Sequence, residues 1–257
     1  MNLLAPLVLA SALGLSAAAT AATPDPIVAT RPTVVLVHGA FADGSSWNKV
    51  IPLLQAQGLN AVAVQNPLTS LEDDVAAANR IINAQTGPVV LVGHSWGGAV
   101  ITQAGGNAKV KSLVYVAAFA PTLGAHSAAD TTGFPAPPGF AHFIADADGF
   151  LTLPADAIAR DFAQDVSAAE ANLIHATQGP VRGANFEQPV TVAAWTAKPS
   201  WYIVAGQDRM IDPGAQRALA KKIGATTIEV ATSHVPMVSS PEAVAKVIIE
   251  AARAAAK

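Results

Sequence analysis

One serine stands in a setting that could make it a nucleophile. Ser95 lies in the segment Gly93–Gly98, Gly-His-Ser-Trp-Gly-Gly, directly after the apolar run Val89–Val92. A G-x-S-x-G pentapeptide is a weak pattern by itself, but a strand before it and a helix after it are what a nucleophile elbow requires. We therefore predict that Ser95 is a catalytic nucleophile at the carboxyl edge of a sheet. The alternative is a glycine-rich turn that binds phosphate or nothing.

A serine hydroxyl needs a general base, and the chain has six histidines. We expect His234 to be that base, because it follows the last strand pattern on a loop that opens at the same sheet edge as Ser95. His94 is adjacent to Ser95 on a tight turn, where neighbouring side chains diverge, so a packing or hydrogen-bonding role is expected. His38 ends the first strand pattern and is expected to brace its loop. Surface positions are expected for the remaining three: His126, His142 and His175.

A base of this kind is oriented by a carboxylate. Two aspartates follow the strand pattern Trp201–Ala205. Asp208 lies just past the strand end, at the expected catalytic edge, and is our prediction for the residue that orients His234. Asp212 precedes Pro213 and has the position of a helix cap, which leaves it as the alternative.

Acyl transfer also requires donors for a developing oxyanion. The backbone N–H groups of Ala40, after the first strand, and of Trp96, after Ser95, are expected to supply them. For Ala40, an ordinary glycine-containing turn is the alternative. Apolar residues beside these loops are candidates for pocket walls and fit core packing equally well: Phe41, Trp96, Phe119 and Met237.

The elements that must position these residues alternate between strand and helix. Runs that are apolar on both faces are typical of buried parallel strands. They are Thr33–His38, Asn60–Gln65, Pro88–Gly93, Ser112–Ala117, Trp201–Ala205 and Thr226–Val230. The helical patterns are Ser46–Gln57, a helix capped by Ser70, Ser95–Ala104, Pro213–Ile223 and a last helix capped by Ser240. Alternation of this kind predicts a parallel sheet covered by helices on both faces.

The alternation breaks between residues 121 and 198, which are rich in Pro, Gly and Ala. This stretch contains a possible hairpin, Phe140–Leu153, and two short helical patterns, Ala155–Phe162 and Ala168–Thr177. It is too short for an independent domain, so we predict a cap inserted between two strands of the sheet.

Composition removes several classes of function. The 257 residues suffice for one large α/β domain, and a net charge of −3 without a basic cluster gives nucleic-acid binding no electrostatic basis. The absence of cysteine excludes disulfides, thiolate metal sites and a cysteine nucleophile. Since the sequence has neither a dinucleotide fingerprint nor a clustered metal set, we expect no cofactor and no metal.

The N-terminus has the pattern of an export signal. Residues 1–22 carry no charged side chain, and the apolar stretch Leu3–Leu15 is followed by the small residues Ala19–Ala21. We predict a signal peptide over 1–22 and a catalytic domain over 23–257, periplasmic or secreted, without stable membrane association after cleavage. The segment before the apolar stretch has no Lys or Arg, which is atypical of a signal peptide. The alternative is a short hydrophobic membrane anchor or a frayed, Ala-rich helix.

The motifs together resemble the α/β-hydrolase superfamily. They are the His-Gly-Ala turn at 38–40, the segment Gly93–Gly98, the Asp-Arg-Met-Ile loop from Asp208 and the Ser-His-Val-Pro-Met stretch around His234. The order Ser, Asp, His is also that of this family. The chain from Thr33 onward is similar to the small branch that includes plant methyl-ester esterases and hydroxynitrile lyases. That resemblance implies a mostly parallel six-stranded sheet of order 2-1-3-4-5-6, flanked by helices, with an inserted cap.

At three places this chain differs from related enzymes, and these differences argue against some of the reactions that the family catalyses. The lyases have a lysine beside the catalytic histidine and a threonine in the first oxyanion turn, where this chain has Val235 and Gly39-Ala40. The family's dehalogenases use an aspartate where Ser95 stands. We therefore expect an exported serine hydrolase that cleaves small carboxylic esters through an acyl-enzyme. The alternatives are a thioester, lactone or amide hydrolase or a perhydrolase on the same triad, and a non-catalytic binding protein.

Overall fold

The structure, a computed structural model, describes residues 31–256, and the predicted signal peptide lies outside them. The strands of this range are β1 Thr33–Val37, β2 Asn60–Ala63, β3 Val89–His94, β4 Val110–Val116, β5 Ile144–Ala145, β6 Phe150–Thr152, β7 Val181–Arg182, β8 Ser200–Ala205 and β9 Thr226–Val230. Six of them form one sheet in the order β2-β1-β3-β4-β8-β9. Because β8 and β9 are the fifth and sixth strands of that sheet, the expected order is confirmed. Every pairing in it is parallel.

Helices alternate with these strands. They are α1 Val50–Ala56, α2 Leu71–Asn83, α3 Gly97–Ala104, α4 Ala155–Ala157, α5 Ala168–Thr177, α6 Pro213–Lys222, α7 Pro236–Ser239 and α8 Pro241–Ala255. α8 packs on β3, β4 and β8, whereas α3 packs on β1, β3 and α2. The strands β1 and β3 are buried along their whole length, as expected of runs that are apolar on both faces. The same expectation is wrong for β2 and β9, which are partly exposed because they are the edge strands of the sheet. Between residues 31 and 256, no helix combines the length and apolar character needed to cross a membrane.

Two predicted helix starts are wrong in detail. Ser46 does not cap α1; it lies inside the 3-10 turn Gly44–Trp47, which Asp43 caps by accepting a hydrogen bond from Ser45 N at 2.9 Å. Ser240 occupies the first position before α8, but its side chain makes no capping hydrogen bond.

The cap, residues 121–198, is built from short elements. The predicted hairpin is present as the antiparallel pair of β5 and β6, and β7, which the sequence analysis missed, adds a third strand beside β6. The first helical pattern is α4 followed by a π-helical turn, Ile158–Phe162, and the second is α5. The remaining turns are 3-10 helices at Ser127–Thr131, Pro138–His142, Gly183–Glu187 and Ala194–Thr196.

The strand order places the carboxyl ends of β1 and β3 side by side, at the point where the topology of the sheet reverses. From β1 the chain crosses to β2 on one side and then returns to β3 on the other. In parallel sheets of this kind, ligands bind in the crevice at such a switch point. Ala40 follows β1 and Ser95 follows β3, so both lie at this crevice.

Candidate active site

Ser95 lies on a strained turn between β3 and α3. Its φ of +53° falls in the left-handed region, which a residue with a β-carbon rarely adopts. The flanking glycines allow this turn to pack closely: a β-carbon at Gly93 would meet the Gly97 carbonyl oxygen at 2.5 Å, and one at Gly97 would meet the Val37 carbonyl oxygen at 2.7 Å. The glycines of the motif therefore permit the close approach that a strained serine elbow requires.

The three side chains predicted as a triad form one hydrogen-bonded chain. Ser95 Oγ lies 2.8 Å from His234 Nε2, and His234 Nδ1 lies 2.6 Å from Asp208 Oδ2. An ionised carboxylate can only accept, so the Nδ1 proton belongs to the imidazole and Nε2 is free to accept the serine proton. All three residues are buried. The arrangement can take a proton from Ser95 while a carboxylate stabilises the resulting imidazolium.

Asp208 is held by a network of its own. Its Oδ1 accepts from the N–H groups of Met210 at 2.7 Å and Ile211 at 3.0 Å. Its Oδ2 accepts from Gln216 Nε2 at 2.7 Å, and Gln216 Oε1 accepts from Ala205 N at 2.9 Å. Gln216 thus fixes the carboxylate to the end of β8. Sequence analysis missed Gln216; its signal was a polar residue at a core-facing position of α6, eight residues after Asp208.

The alternative acid, Asp212, is engaged elsewhere. Its Oδ1 accepts from Gly214 N at 2.8 Å and from Ala215 N at 3.1 Å. These are the N–H groups that a helix leaves unpaired in its first turn, so Asp212 caps α6. The hydrogen bond to His234 comes from Asp208.

The two N–H groups predicted for an oxyanion belong to residues that follow β1 and β3, the two strands beside the crevice. Ala40 and Trp96 are buried, and within residues 31–256 neither backbone N–H donates to another protein group. Phe41, next to Ala40, also has a positive φ, +57°. Its ring stacks on that of Phe143, a cap residue, with 5.1 Å between the ring centroids.

A buried carboxylate anchors the residue that follows the serine. Asp74, on α2, accepts from Trp96 Nε1 at 2.7 Å and from Leu68 N at 2.7 Å. Burial raises the pKa of Asp74 to about 6, although both hydrogen bonds act to lower it. The Trp96 indole therefore packs in the core, which was one of the two roles predicted for it. It does not line the cavity, so the other prediction, a pocket wall, is wrong.

The two neighbouring histidines are structural. His94 Nε2 donates to the His234 carbonyl at 2.7 Å, and burial together with the nearby His234 holds the pKa of His94 well below its usual range. His38 Nε2 accepts from Asn66 N at 2.9 Å, so its proton lies on Nδ1, which donates to the Gly39 carbonyl at 2.8 Å. Burial lowers the pKa of His38, which favours the neutral ring. Both side chains brace loops, as expected.

A cavity of about 150 Å³ opens beside Ser95 and His234. Its lining comprises Ala40, Phe41, Ser95, Phe119, Ala128, Thr131, Phe140, Phe143, Phe186, Met210, Ile211 and His234. Phe41 and Phe119, two of the predicted wall residues, line it. Met237 does not: it is fully buried in the main core, because α7 turns its side chain inward. The cap supplies the wall residues that the sequence analysis missed, among them Phe140, Phe143 and Phe186.

A family profile and a named relative each match most of this chain. The sequence profile of the alpha/beta hydrolase family matches residues 34–247. The chain belongs to that family. It is 30% identical over 253 residues to a Phoma species protein named "Probable hydrolase R7", a match that covers 87% of this chain and 99% of the relative. The protein is accordingly a hydrolase of the α/β-hydrolase fold.

Solved structures share this fold at lower identity. A pyrethroid hydrolase has a TM-score of 0.78 at 23% identity, covering 88% of this chain and 99% of its own. Polyneuridine aldehyde esterase has a TM-score of 0.73 at 19% identity, covering 86% and 98%. An extracellular α/β-hydrolase from a Paenibacillus species has a TM-score of 0.72 at 21% identity, covering 86% and 98%. At these identities the likeness establishes the fold alone.

Proposed function

We propose that this hydrolase is a serine esterase that cleaves small, uncharged carboxylic esters. The observation that carries the proposal is the hydrogen-bonded chain from Ser95 through His234 to Asp208 at the wall of a phenylalanine-lined cavity. Two solved proteins of this fold are themselves described as esterase or pyrethroid hydrolase, which is consistent with it.

The proposed reaction has two halves. Ser95 Oγ attacks the acyl carbon while His234 Nε2 takes its proton, and Asp208 stabilises the imidazolium. The N–H groups of Ala40 and Trp96 stabilise the tetrahedral oxyanion. His234 then protonates the departing alcohol. Water, deprotonated by the same imidazole, then attacks the acyl carbon, the bond to Ser95 Oγ breaks, and His234 returns the proton to Oγ as the acid leaves.

The cavity favours a compact neutral acyl group. No Asp, Glu, Lys or Arg lines it, so a charged acyl group would be desolvated without an ionic partner. An apolar cavity of about 150 Å³ in another protein is large enough for a benzene ring. Phe41 and Phe119 are proposed to contact this group.

The test is turnover of p-nitrophenyl esters together with labelling by an organophosphonate. We expect the wild-type protein to hydrolyse a short ester and to be labelled at Ser95. In Ser95→Ala, labelling should be absent and kcat should fall by a factor on the order of 10⁶ or to background. If thioesters, lactones or anilides are cleaved and esters are not, the reaction is one of the alternatives. If Ser95→Ala binds and turns over like the wild type, the proposal is wrong.

We also propose that the enzyme is exported and cleaved near Ala22 or Thr23. The support is the uncharged apolar stretch that ends in Ala19–Ala21. N-terminal sequencing of protein recovered from the periplasm or the medium tests this. A chain that still begins at Met1 and stays with the membrane would contradict it.

A further inference from the structure

A short segment of the cap lies against both loops that carry the proposed acid and base. We name residues 161–165 the clamp. It begins inside a π-helical turn, closed by Ala163 N–H donating to the Ile158 carbonyl at 2.8 Å. A π turn widens the helix by one residue and so redirects the side chains that follow, and such turns are frequent at functional sites. Here it turns the clamp toward Asp208 and His234.

The clamp contacts the acid loop on both sides of Asp208. Arg209 Nε donates to Asp161 Oδ1 at 2.7 Å. On the other side, Gln164 Nε2 donates to the Gln207 carbonyl at 2.7 Å. The two chain neighbours of Asp208 are therefore both bonded to the cap, which limits how far this carboxylate can move away from the imidazole.

The contact with Arg209 is difficult to break because it neutralises a buried charge. The Asp161 carboxylate is buried and also accepts from Arg160 Nε at 2.9 Å, while His142 Nε2 lies 3.7 Å away. Arg209 and Arg160 therefore share the neutralisation of one buried carboxylate, and losing Arg209 would leave Oδ1 of Asp161 without its cationic partner, which is destabilising. Arg209 is therefore fixed to the cap as long as the cap stays docked.

The clamp also contacts the histidine loop at two points. Asp165 Oδ2 accepts from the N–H of Ser233 at 2.8 Å, one residue before His234. The Phe162 ring lies against the His234 imidazole, with centroids 5.2 Å apart and the planes at 69°. The backbone and the ring of the proposed base are thus both supported from the cap.

We propose that the clamp positions the acid–base pair, so that the catalytic geometry is complete only while the cap is docked. Asp161 and Asp165 are positioning residues in this proposal, which rests on the proposed function of Ser95 and His234. A cap that only covered the site would change the apparent affinity for substrate. A clamp that aligns the reacting groups changes kcat, because small displacements of such groups cost much of the rate.

The first test replaces the acceptor for Ser233 N–H. We expect Asp165→Ala to lower kcat about tenfold with KM changed less than about twofold. Asp165→Asn keeps an oxygen acceptor and should restore kcat to within about threefold of the wild type. The matched control is Glu170→Gln, which weakens another cap–body ion pair, that with Lys49, while the hydrogen bond from Lys49 to the Val238 carbonyl remains, and should leave kcat and KM unchanged.

The second test is a spectroscopic signature that does not depend on turnover. The proton between His234 Nδ1 and Asp208 should give a far-downfield NMR resonance in the wild type, since that hydrogen bond is short and charge-assisted. It should broaden or shift in Asp165→Ala and in Arg209→Gln, measured below the unfolding temperature of each variant, and not in Glu170→Gln. Unchanged kcat and an unchanged resonance in both variants would overturn the clamp. A wild type that cleaves no ester, while the resonance responds, would overturn the esterase proposal and leave the clamp standing.

Discussion

The sheet edge and the cap meet at one cavity but contribute different groups to it. The sheet edge contributes polar groups from the loops that follow parallel strands: Ser95 follows the fully buried β3, Asp208 follows β8, and His234 follows the partly exposed edge strand β9. The cap contributes apolar walls from short turns, and one of these, Phe140, is 40% exposed. We infer that the sheet edge determines the chemistry, whereas the cap determines which substrate fits and holds the loops in place.

The largest effect should come from breaking the sheet-edge network at its acid. Asp208→Asn is expected to lower kcat by a factor on the order of 10³–10⁴, because the amide favours the wrong tautomer of His234. Asp212→Asn, the matched control on the same loop, should keep nearly full activity, since asparagine caps a helix about as well as aspartate. Steady-state kinetics of both variants decide this. Equal activity of Asp208→Asn and the wild type would transfer the role to another residue.

A smaller effect should follow from loosening the same acid without changing its charge. Gln216→Leu removes the donor to Asp208 Oδ2 and the acceptor for Ala205 N–H. We expect kcat to fall about tenfold to a hundredfold and the free energy of unfolding to fall by about 1–3 kcal/mol, because buried polar groups are left unpaired. Gln216→Glu restores the acceptor but places a second carboxylate beside Asp208, and should not recover activity. Wild-type kcat in Gln216→Leu would show that Met210 and Ile211 hold the acid alone.

The same comparison explains which parts of the structure could be predicted from sequence. The strands and the positions of Ser95, His234 and Asp208 follow from apolar runs and from the loops that end them, because the carboxyl ends of parallel strands share one edge. The order of the strands in the sheet is predicted from the resemblance to the α/β-hydrolase family. Phe143 and Asp165 gave no such signal. Their contacts with Phe41 and Ser233 join residues far apart in the chain through short elements, and local periodicity carries no information on such pairs.

Asp74, which accepts a hydrogen bond from the Trp96 indole, should make the free energy of unfolding depend on pH. Burial raises the pKa of Asp74 in the folded state to about 6, above its value in the unfolded chain, so the native state binds more protons between about pH 4 and 6. The contribution of Asp74 to stability is therefore complete below pH 4 and lost as pH rises through 6.

Chemical denaturation of the wild type and of Asp74→Asn across this range measures that contribution. The free energy of unfolding of the wild type, minus that of the variant, should fall with rising pH by at most about 2–3 kcal/mol and become constant above about pH 7. A difference that does not vary with pH would mean that the pKa of Asp74 is the same in the folded and unfolded states.

The smallest effect should come from reshaping the cap wall. Phe143 stacks on Phe41 and tilts against Phe140, so Phe143→Ala should enlarge the cavity without touching the polar groups. The wild type should prefer short acyl esters and show ordinary saturation below and above the micelle threshold. The longest cap helix within residues 31–256, α5, has ten residues and is only weakly amphipathic, unlike the helices that bind to a lipid surface. In Phe143→Ala we expect the ratio of kcat/KM for octanoate over butyrate esters to rise about tenfold, since each added methylene gains apolar contact. Leu173→Ala, an exposed cap residue outside this cavity, is the control. Sharp activation of the wild type above the micelle threshold, with long chains preferred, would instead make the cap a lipase lid.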